Sequence, residues 1–122
     1  MSSTAPPVDV FAAINTTRAV RRFTSEPVTD TEIITCIRAA TQGPSGGNIQ
    51  PWQFLVVTDP ATKRALGEVY RRAYGRYEPA LLRAMPPFRS AEHKASFERM
   101  TRASRHLAEH LGEAAALALF LM

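Results

Sequence analysis

A chain of 122 residues, 45% hydrophobic and 21% charged, is long enough for one domain with the composition of an ordinary globular protein. Its 15 basic and 11 acidic residues leave +4, but the cations come in pairs (Arg21-Arg22, Lys63-Arg64, Arg71-Arg72) interleaved with glutamate, which argues for solvated helix faces and against a nucleic-acid partner. A single cysteine excludes an internal disulfide framework and fits a reducing cytoplasm, while Met1 to Pro7 lacks the make-up of a signal peptide and the apolar run Ala114 to Met122 is far short of a membrane span.

Residues 1–7 form a small, proline-containing stretch expected to be a flexible arm. From Val8 the apolar Val10, Phe11 and Ile14 predict a short helix that ends near Asn15 to Thr17. Thr17-Arg18-Ala19-Val20-Arg21-Arg22-Phe23 follows, with three guanidiniums in five residues just past a helix end. Such a group suits bidentate hydrogen bonds to phosphate, and equally suits the negative end of the helix dipole. Ser25 to Val28 reads as a turn or extended connector. Thr29-Asp30-Thr31-Glu32 has the form of a capping box. Ile33, Ile34, Ile37 and Ala40 then recur at helical spacing, predicting a helix from Asp30 to about Thr41 with Cys36 as a buried, inert thiol.

The most informative stretch is Gly43-Pro44-Ser45-Gly46-Gly47-Asn48-Ile49-Gln50-Pro51-Trp52. Gly43-Pro44 stops the preceding helix, because proline has no N–H and biases the residue before it away from the helical region. Gly46-Gly47 permits positive φ and close approach of a ligand, and Ser45 and Asn48 add hydrogen-bonding groups. The same residue types also serve plain helix-to-strand connections.

Trp52 to Thr58 is a predicted strand, whose unbroken Phe54-Leu55-Val56-Val57 implies burial on both faces. Asp59-Pro60 is an N-cap followed by proline at the first helical position, opening a helix to about Tyr74 that buries Leu66, Val69, Tyr70 and Ala73. Gly75 to Phe88, rich in proline and aromatics, is expected to be an irregular excursion holding at most a short helix through Leu81 and Leu82. From Ser90 a long helix is predicted, with Phe97, Met100, Leu107 and Leu111 on its apolar stripe and Gly112 as C-cap. Ala114 to Met122 has the hydrophobicity of a buried strand. Two strands among four helices leave unpaired edges, so the expectation is the N-terminal part of a longer domain or one that a partner chain completes.

His106-Leu107-Ala108-Glu109-His110 has the H-x-x-E-H pattern of some zinc proteases, but a third ligand is lacking and both histidines share a polar face with Arg99, Arg102 and Glu113. The solvated-face reading is therefore preferred to a metal site. G-x-G-x-x-G, Walker lysine and G-x-S-x-G motifs are all missing.

Taken together in order, Arg18-Ala19-Val20-Arg21-Arg22-Phe23, the capped helix, the Pro44 to Trp52 loop and the following strand resemble the nitroreductase family of FMN-dependent oxidoreductases. The resemblance covers about Val8 to Tyr74 well and the remainder loosely. It implies an α+β fold of three-layer α-β-α sandwich type, truncated at its C-terminus. It also implies FMN as cofactor, NAD(P)H as co-substrate, a homodimer, and hydride transfer through the flavin to a nitroaromatic, quinone or similar small-molecule acceptor. The alternative is a truncated flavin-binding or dimerising remnant without turnover. The resemblance assigns cofactor contacts to Arg18, Ala19 and Arg21 from one subunit and to Pro44, Ser45, Gly46 and Asn48 from the facing one. Ala19 stands where the family often has serine, so backbone N–H would replace one side-chain phosphate contact. No side-chain acid or base is implied, because the flavin carries the electron chemistry.

Overall fold

The computed structural model describes residues 9–24 and 26–121. The proposed arm, Val8 and Ser25 lie outside them. In chain order the elements are α1 (Val10–Thr16), α2 (Asp30–Ala40), a one-turn 3₁₀ helix at Gly46–Asn48, β1 (Gln53–Val57), α3 (Pro60–Ala84), α4 (Ala91–His110), a second 3₁₀ turn at Leu111–Glu113 and β2 (Leu117–Leu121). The class is α+β. The two strands pair antiparallel, with Gln53 opposite Leu121 and Val57 opposite Leu117.

Local chemistry accounts for the boundaries. Asp9 accepts the Ala12 N–H to start α1, and the Thr16 and Thr17 hydroxyls donate to the Ala12 and Ala13 carbonyls at its end. The predicted capping box is formed at α2: the Thr29 N–H donates to Glu32 Oε2 at 2.8 Å, and the Glu32 N–H to Thr29 Oγ1. The Thr29 N–H and then the Thr29 hydroxyl, both donating to Oε2, hold the Glu32 carboxyl below its ordinary range. Asp59 caps α3 through the Thr62 N–H, with Pro60 next, and Ser90 caps α4 through the His93 N–H.

Several expectations are corrected. The helix predicted to stop near Tyr74 runs unbroken to Ala84, with Pro79 inside it. An internal proline costs a hydrogen bond and about 3 kcal/mol. Packing offsets it here, because this half of α3 lies against α4 and Arg105 Nε donates to Glu78 Oε1 at 2.7 Å. β1 is only partly covered: Phe54 and Val56 on one face are half-buried, while on the other face Leu55 is exposed and only Val57, at the end of the strand, is buried. Phe120 and Leu121 of β2 are likewise exposed. Val69 and Tyr70 are exposed and Leu66 is half-buried, so the apolar stripe of α3 borders open grooves. Cys36 is exposed, because Ile33 and Ile37 form the inward stripe of α2 and Cys36 lies about 100° off it.

Gly112 does not end α4 in a left-handed cap. The α-helix stops at His110, and the turn through Gly112 presses its backbone onto α3 at Gly67. A Cβ on Gly67 would lie 2.8 Å from Gly112 N and 3.0 Å from its Cα. Lys63, one turn earlier, donates from Nζ to the carbonyls of Ala114 (2.8 Å) and Ala115 (3.0 Å). Together these contacts deliver the chain into β2, and the small core (Val57, Ala108, Ala114) sits beside them.

The surface stays open elsewhere. The accessible area is 10012 Å², against about 6,500 Å² for a compact monomer of this mass. Neither α1 nor α2 contains a buried residue, and Val10, Phe11 and Ile14 are 60–70% exposed.

Gly67→Ala is expected to cost about 1–3 kcal/mol through overpacking against backbone, read as a lower urea midpoint. Gly75→Ala, whose Cβ meets nothing within 4 Å, is expected to stabilise by about 0.5–1 kcal/mol.

Candidate functional site

The two stretches singled out in the sequence form separate half-sites. In the first, Arg18 is exposed and donates from Nη1 to the carbonyls of Asn15 (3.1 Å) and Thr17 (2.8 Å). It thus caps the C-terminus of α1, and its remaining N–H groups have no protein partner among the described residues. Ala19 is exposed, and its carbonyl accepts one long bond, 3.4 Å, from Arg21 Nη1. Arg21 is half-buried, has no ion pair among the described residues, and stands between two clefts that border α4. Arg22 reaches α4 directly, with Nη1 3.3 Å from His106 Nδ1.

The second half-site is the Pro44–Trp52 loop. Gly47 (φ 59°), Asn48 (φ 56°) and Gln50 (φ 44°) all take left-handed backbone. For the two non-glycine residues this conformation costs roughly 1–2 kcal/mol each, and such strain persists only where other contacts fix it. Those contacts are internal. The Asn48 N–H donates to the Ser45 carbonyl, the Ile49 N–H to the Gly46 carbonyl and the Gln50 N–H to Ser45 Oγ at 3.0 Å. Gln50 Nε2 donates to Asn48 Oδ1 at 2.9 Å. Trp52 anchors the far end, its ring 6.5 Å from that of Phe120, which in turn meets Phe54 at 5.4 Å. The Ser45 hydroxyl, the Asn48 amide N–H₂ and the backbone N–H of Gly46 and Gly47 remain available as donors. Pro44, Gly46 and Asn48 are exposed and Ser45 is half-buried. At Gly46 φ is not positive and the space around it is open, so only Gly47 needs the glycine-specific conformation.

No hydrogen bond among the described residues joins the two half-sites, and neither cleft at Arg21 is lined by loop residues. Within one copy of the chain, then, neither a hydrogen bond among the described residues nor either of these clefts joins the two stretches.

The sequence reading missed what α4 contributes. His106 is half-buried and not simply solvated. With Arg21, Phe23, Leu107, His110 and Glu113 it lines a cleft of about 290 Å³. The His106 and His110 rings lie 4.3 Å apart, and His110 Nδ1 is 3.0 Å from Glu113 Oε1. Desolvation, then the Arg22 guanidinium, then His110 push the His106 imidazole below its ordinary pKa. Among the described residues no group of three metal-ligating side chains occurs. The i, i+4 histidine spacing was the available signal, and its partner proved to be the arginine segment, 84 residues away in sequence. On the other side of Arg21, a larger cleft of about 450 Å³ runs between α3 and α4.

An α+β chain that offers guanidiniums on one face and a donor-rich, glycine-turned loop on another has the parts of a nitroreductase-type protein. The chain belongs to the nitroreductase family, whose family model matches residues 14–121. It is 39% identical over 83 residues to a protein named NADH dehydrogenase from Thermus thermophilus, a match covering 67% of this chain and 40% of that one. It is also 43% identical over 53 residues to iodotyrosine deiodinase of Drosophila melanogaster (43% of this chain, 18% of the relative). Iodotyrosine deiodinase 1 of Rattus norvegicus matches at 36% over 61 residues, 50% of this chain and 21% of the relative. The chain thus spans well under two thirds of these relatives. No solved structure matches it. Among the described residues no helix is long and apolar enough to cross a membrane.

The depressed His106 pKa has a definite sign. Desolvation first, then Arg22, make the folded state favour neutral imidazole, so this contribution to stability is full above the ordinary imidazole pKa and is lost as pH falls from there through the lowered folded value. In an NMR titration of the imidazole C–H signals, His106 is expected to titrate below the ordinary value, and Arg22→Ala to move it upward.

Proposed function

We propose that this chain is the cofactor-gripping part of an FMN-dependent oxidoreductase that passes hydride from NAD(P)H to a nitroaromatic, quinone or similar small-molecule acceptor. The observation that carries the reading is the donor set. Arg18 and Arg21 hold guanidinium N–H groups that local carbonyls do not use up, and the 44–50 loop is held by its own hydrogen bonds with four donor groups left over. Such a set fits an anionic mononucleotide. Charge-assisted bonds to phosphate are the strong ones, and a loop ordered before binding loses little entropy on binding.

In this reading Arg18 binds the FMN phosphate together with backbone N–H at Ala19. Arg21 stands at the pyrimidine edge of the ring, where its fixed positive charge favours the negative charge that reduction brings. Pro44, Ser45, Gly46 and Asn48 line the ring and phosphate from a second copy of the chain. Bound FMN would supply the hydride chemistry, and the protein's share is orientation and electrostatics. Two features support a two-fold partner: the half-sites are separate within one copy, and the apolar residues of α1 are exposed. The lone cysteine suits a reducing cytoplasm.

The test is cofactor retention. Purified protein is expected to carry an FMN absorption spectrum that NADH or NADPH bleaches under anaerobic conditions. Arg18→Gln with Arg21→Gln should weaken FMN binding by at least tenfold, since each lost charge-assisted bond costs roughly 1.5–3 kcal/mol. Retained FMN that neither nicotinamide bleaches would favour the non-catalytic remnant. Undiminished FMN affinity in the double variant would remove the arginines from the site.

A further inference from the structure

Three guanidiniums stand in the segment after α1, and the flavin reading uses two of them, Arg18 and Arg21. The third, Arg22, reaches α4, where its Nη1 lies 3.3 Å from His106 Nδ1. Among the described residues this is the one hydrogen bond that ties residues 18–28 to any element beyond α1. Apolar burial does not replace it: Val20 is 64% exposed, Phe23 58% and Val28 46%. The course of the segment, and with it the placement of Arg18 and Arg21, therefore depends largely on one polar contact.

That contact admits a single state of the imidazole. A guanidinium has donors and no acceptor and stays charged at any ordinary pH, so His106 has to offer the Nδ1 lone pair and carry its proton on Nε2. A doubly protonated ring has no lone pair left and sets a second cation against Arg22. Arg21 and Arg22 face the ring from the arginine segment, while His110, Glu109 and Glu113 face it from α4 and the turn beyond. Arg102 stands one turn before it on α4. Glu113 Oε1 is 3.0 Å from His110 Nδ1, with the two imidazoles 4.3 Å apart, so that carboxylate is taken by the neighbouring histidine. Among the described residues no carboxylate hydrogen-bonds His106. Protonation would therefore cost the ring its partner and bring it no new one.

We propose that His106 is a positioning residue for the cofactor: by accepting the Arg22 guanidinium at Nδ1 it holds residues 18–23 in the course that presents Arg18 and Arg21 to FMN, and protonation of the ring releases them. Only the identity of the ligand is taken from the proposed function. A segment fixed before binding loses less entropy when the ligand arrives, so FMN is held more tightly while His106 is neutral. Affinity then falls as pH drops through the imidazole's titration.

FMN is titrated into the full chain and followed by quenching of its fluorescence from about pH 8 to about pH 5, the span over which an imidazole changes charge. His106→Asn is the control. Its side-chain oxygen keeps an acceptor near the Nδ1 position and never titrates, so the pH dependence it retains belongs to the FMN phosphate, whose second pKa is about 6. Over this span the unaltered chain is expected to lose roughly threefold to tenfold more affinity than His106→Asn, the effect of one hydrogen bond. At about pH 8, His106→Leu should weaken FMN by a similar factor, and should have no effect when Arg22→Leu is already present. Equal pH dependence in the unaltered chain and His106→Asn, or a His106→Leu effect that persists without Arg22, would overturn the proposal. The backbone amide signals of Ala19 to Phe23, followed by NMR without FMN, give a readout that does not depend on flavin: they should move with the His106 titration, and stay still in Arg22→Leu. The two readings fail separately. FMN bound with no such difference removes only the role of His106, whereas a chain that takes no FMN while these signals follow His106 loses the flavin reading and keeps the tie.

Discussion

The contact on which the rest of this structure depends is the close crossing of α3 and the turn after α4. Two glycines, Gly67 and Gly112, let the backbones touch, and the Lys63 ammonium ties down the carbonyls of Ala114 and Ala115 immediately beyond. That crossing fixes where β2 begins and so its pairing with β1. It also fixes the separation of α3 and α4 along their length. The cleft between α3 and α4 and the His106 face that receives Arg22 are consequences of the same placement.

A second constraint acts through what the chain leaves uncovered. With so few buried apolar side chains, the hydrophobic term that normally pays for chain ordering is small, and local devices do much of the ordering instead. Caps start α1, α2, α3 and α4, and a closed set of hydrogen bonds holds the 44–50 loop in strained backbone. The donors that this strain leaves free are the ones the proposed cofactor would use. Strain concentrated where a ligand is to be gripped is physically consistent with the proposed role, and under that proposal the separation of the half-sites would give a second copy something specific to contribute.

How much could be read from the residues divides along a physical line. Features set by neighbours in sequence were legible: the capping box at Thr29 and Glu32, the Asp59-Pro60 helix start, the Ser90 cap, the positive φ at Gly47 and the strand after Trp52. Features set by distant contacts were not. Pro79 reads as a helix breaker, and only the packing of α3 on α4 with the Glu78–Arg105 pair keeps the helix whole. Gly112 reads as a cap but serves the crossing with Gly67. Cys36 and Leu55 read as buried, since composition cannot tell which face of an element lacks cover. The pairing of Arg22 with His106 carries no sequence signal beyond the histidine spacing. The arginine segment and the loop stood out as candidate half-sites because each is short and self-contained, whereas the lack of any hydrogen bond between them within one copy required coordinates.

The claim at the centre is that one flavin is held by arginines of one copy and the loop of another. Mixing two defective chains tests it most directly. One carries Arg18→Gln and Arg21→Gln, the other Ser45→Ala and Asn48→Ala, and FMN bound per chain is measured after subunit exchange. If each site draws on both copies, every mixed pair regains one intact site, and random pairing should restore about a quarter of the wild-type FMN content. Recovery that never rises above that of either variant alone would contradict the shared site.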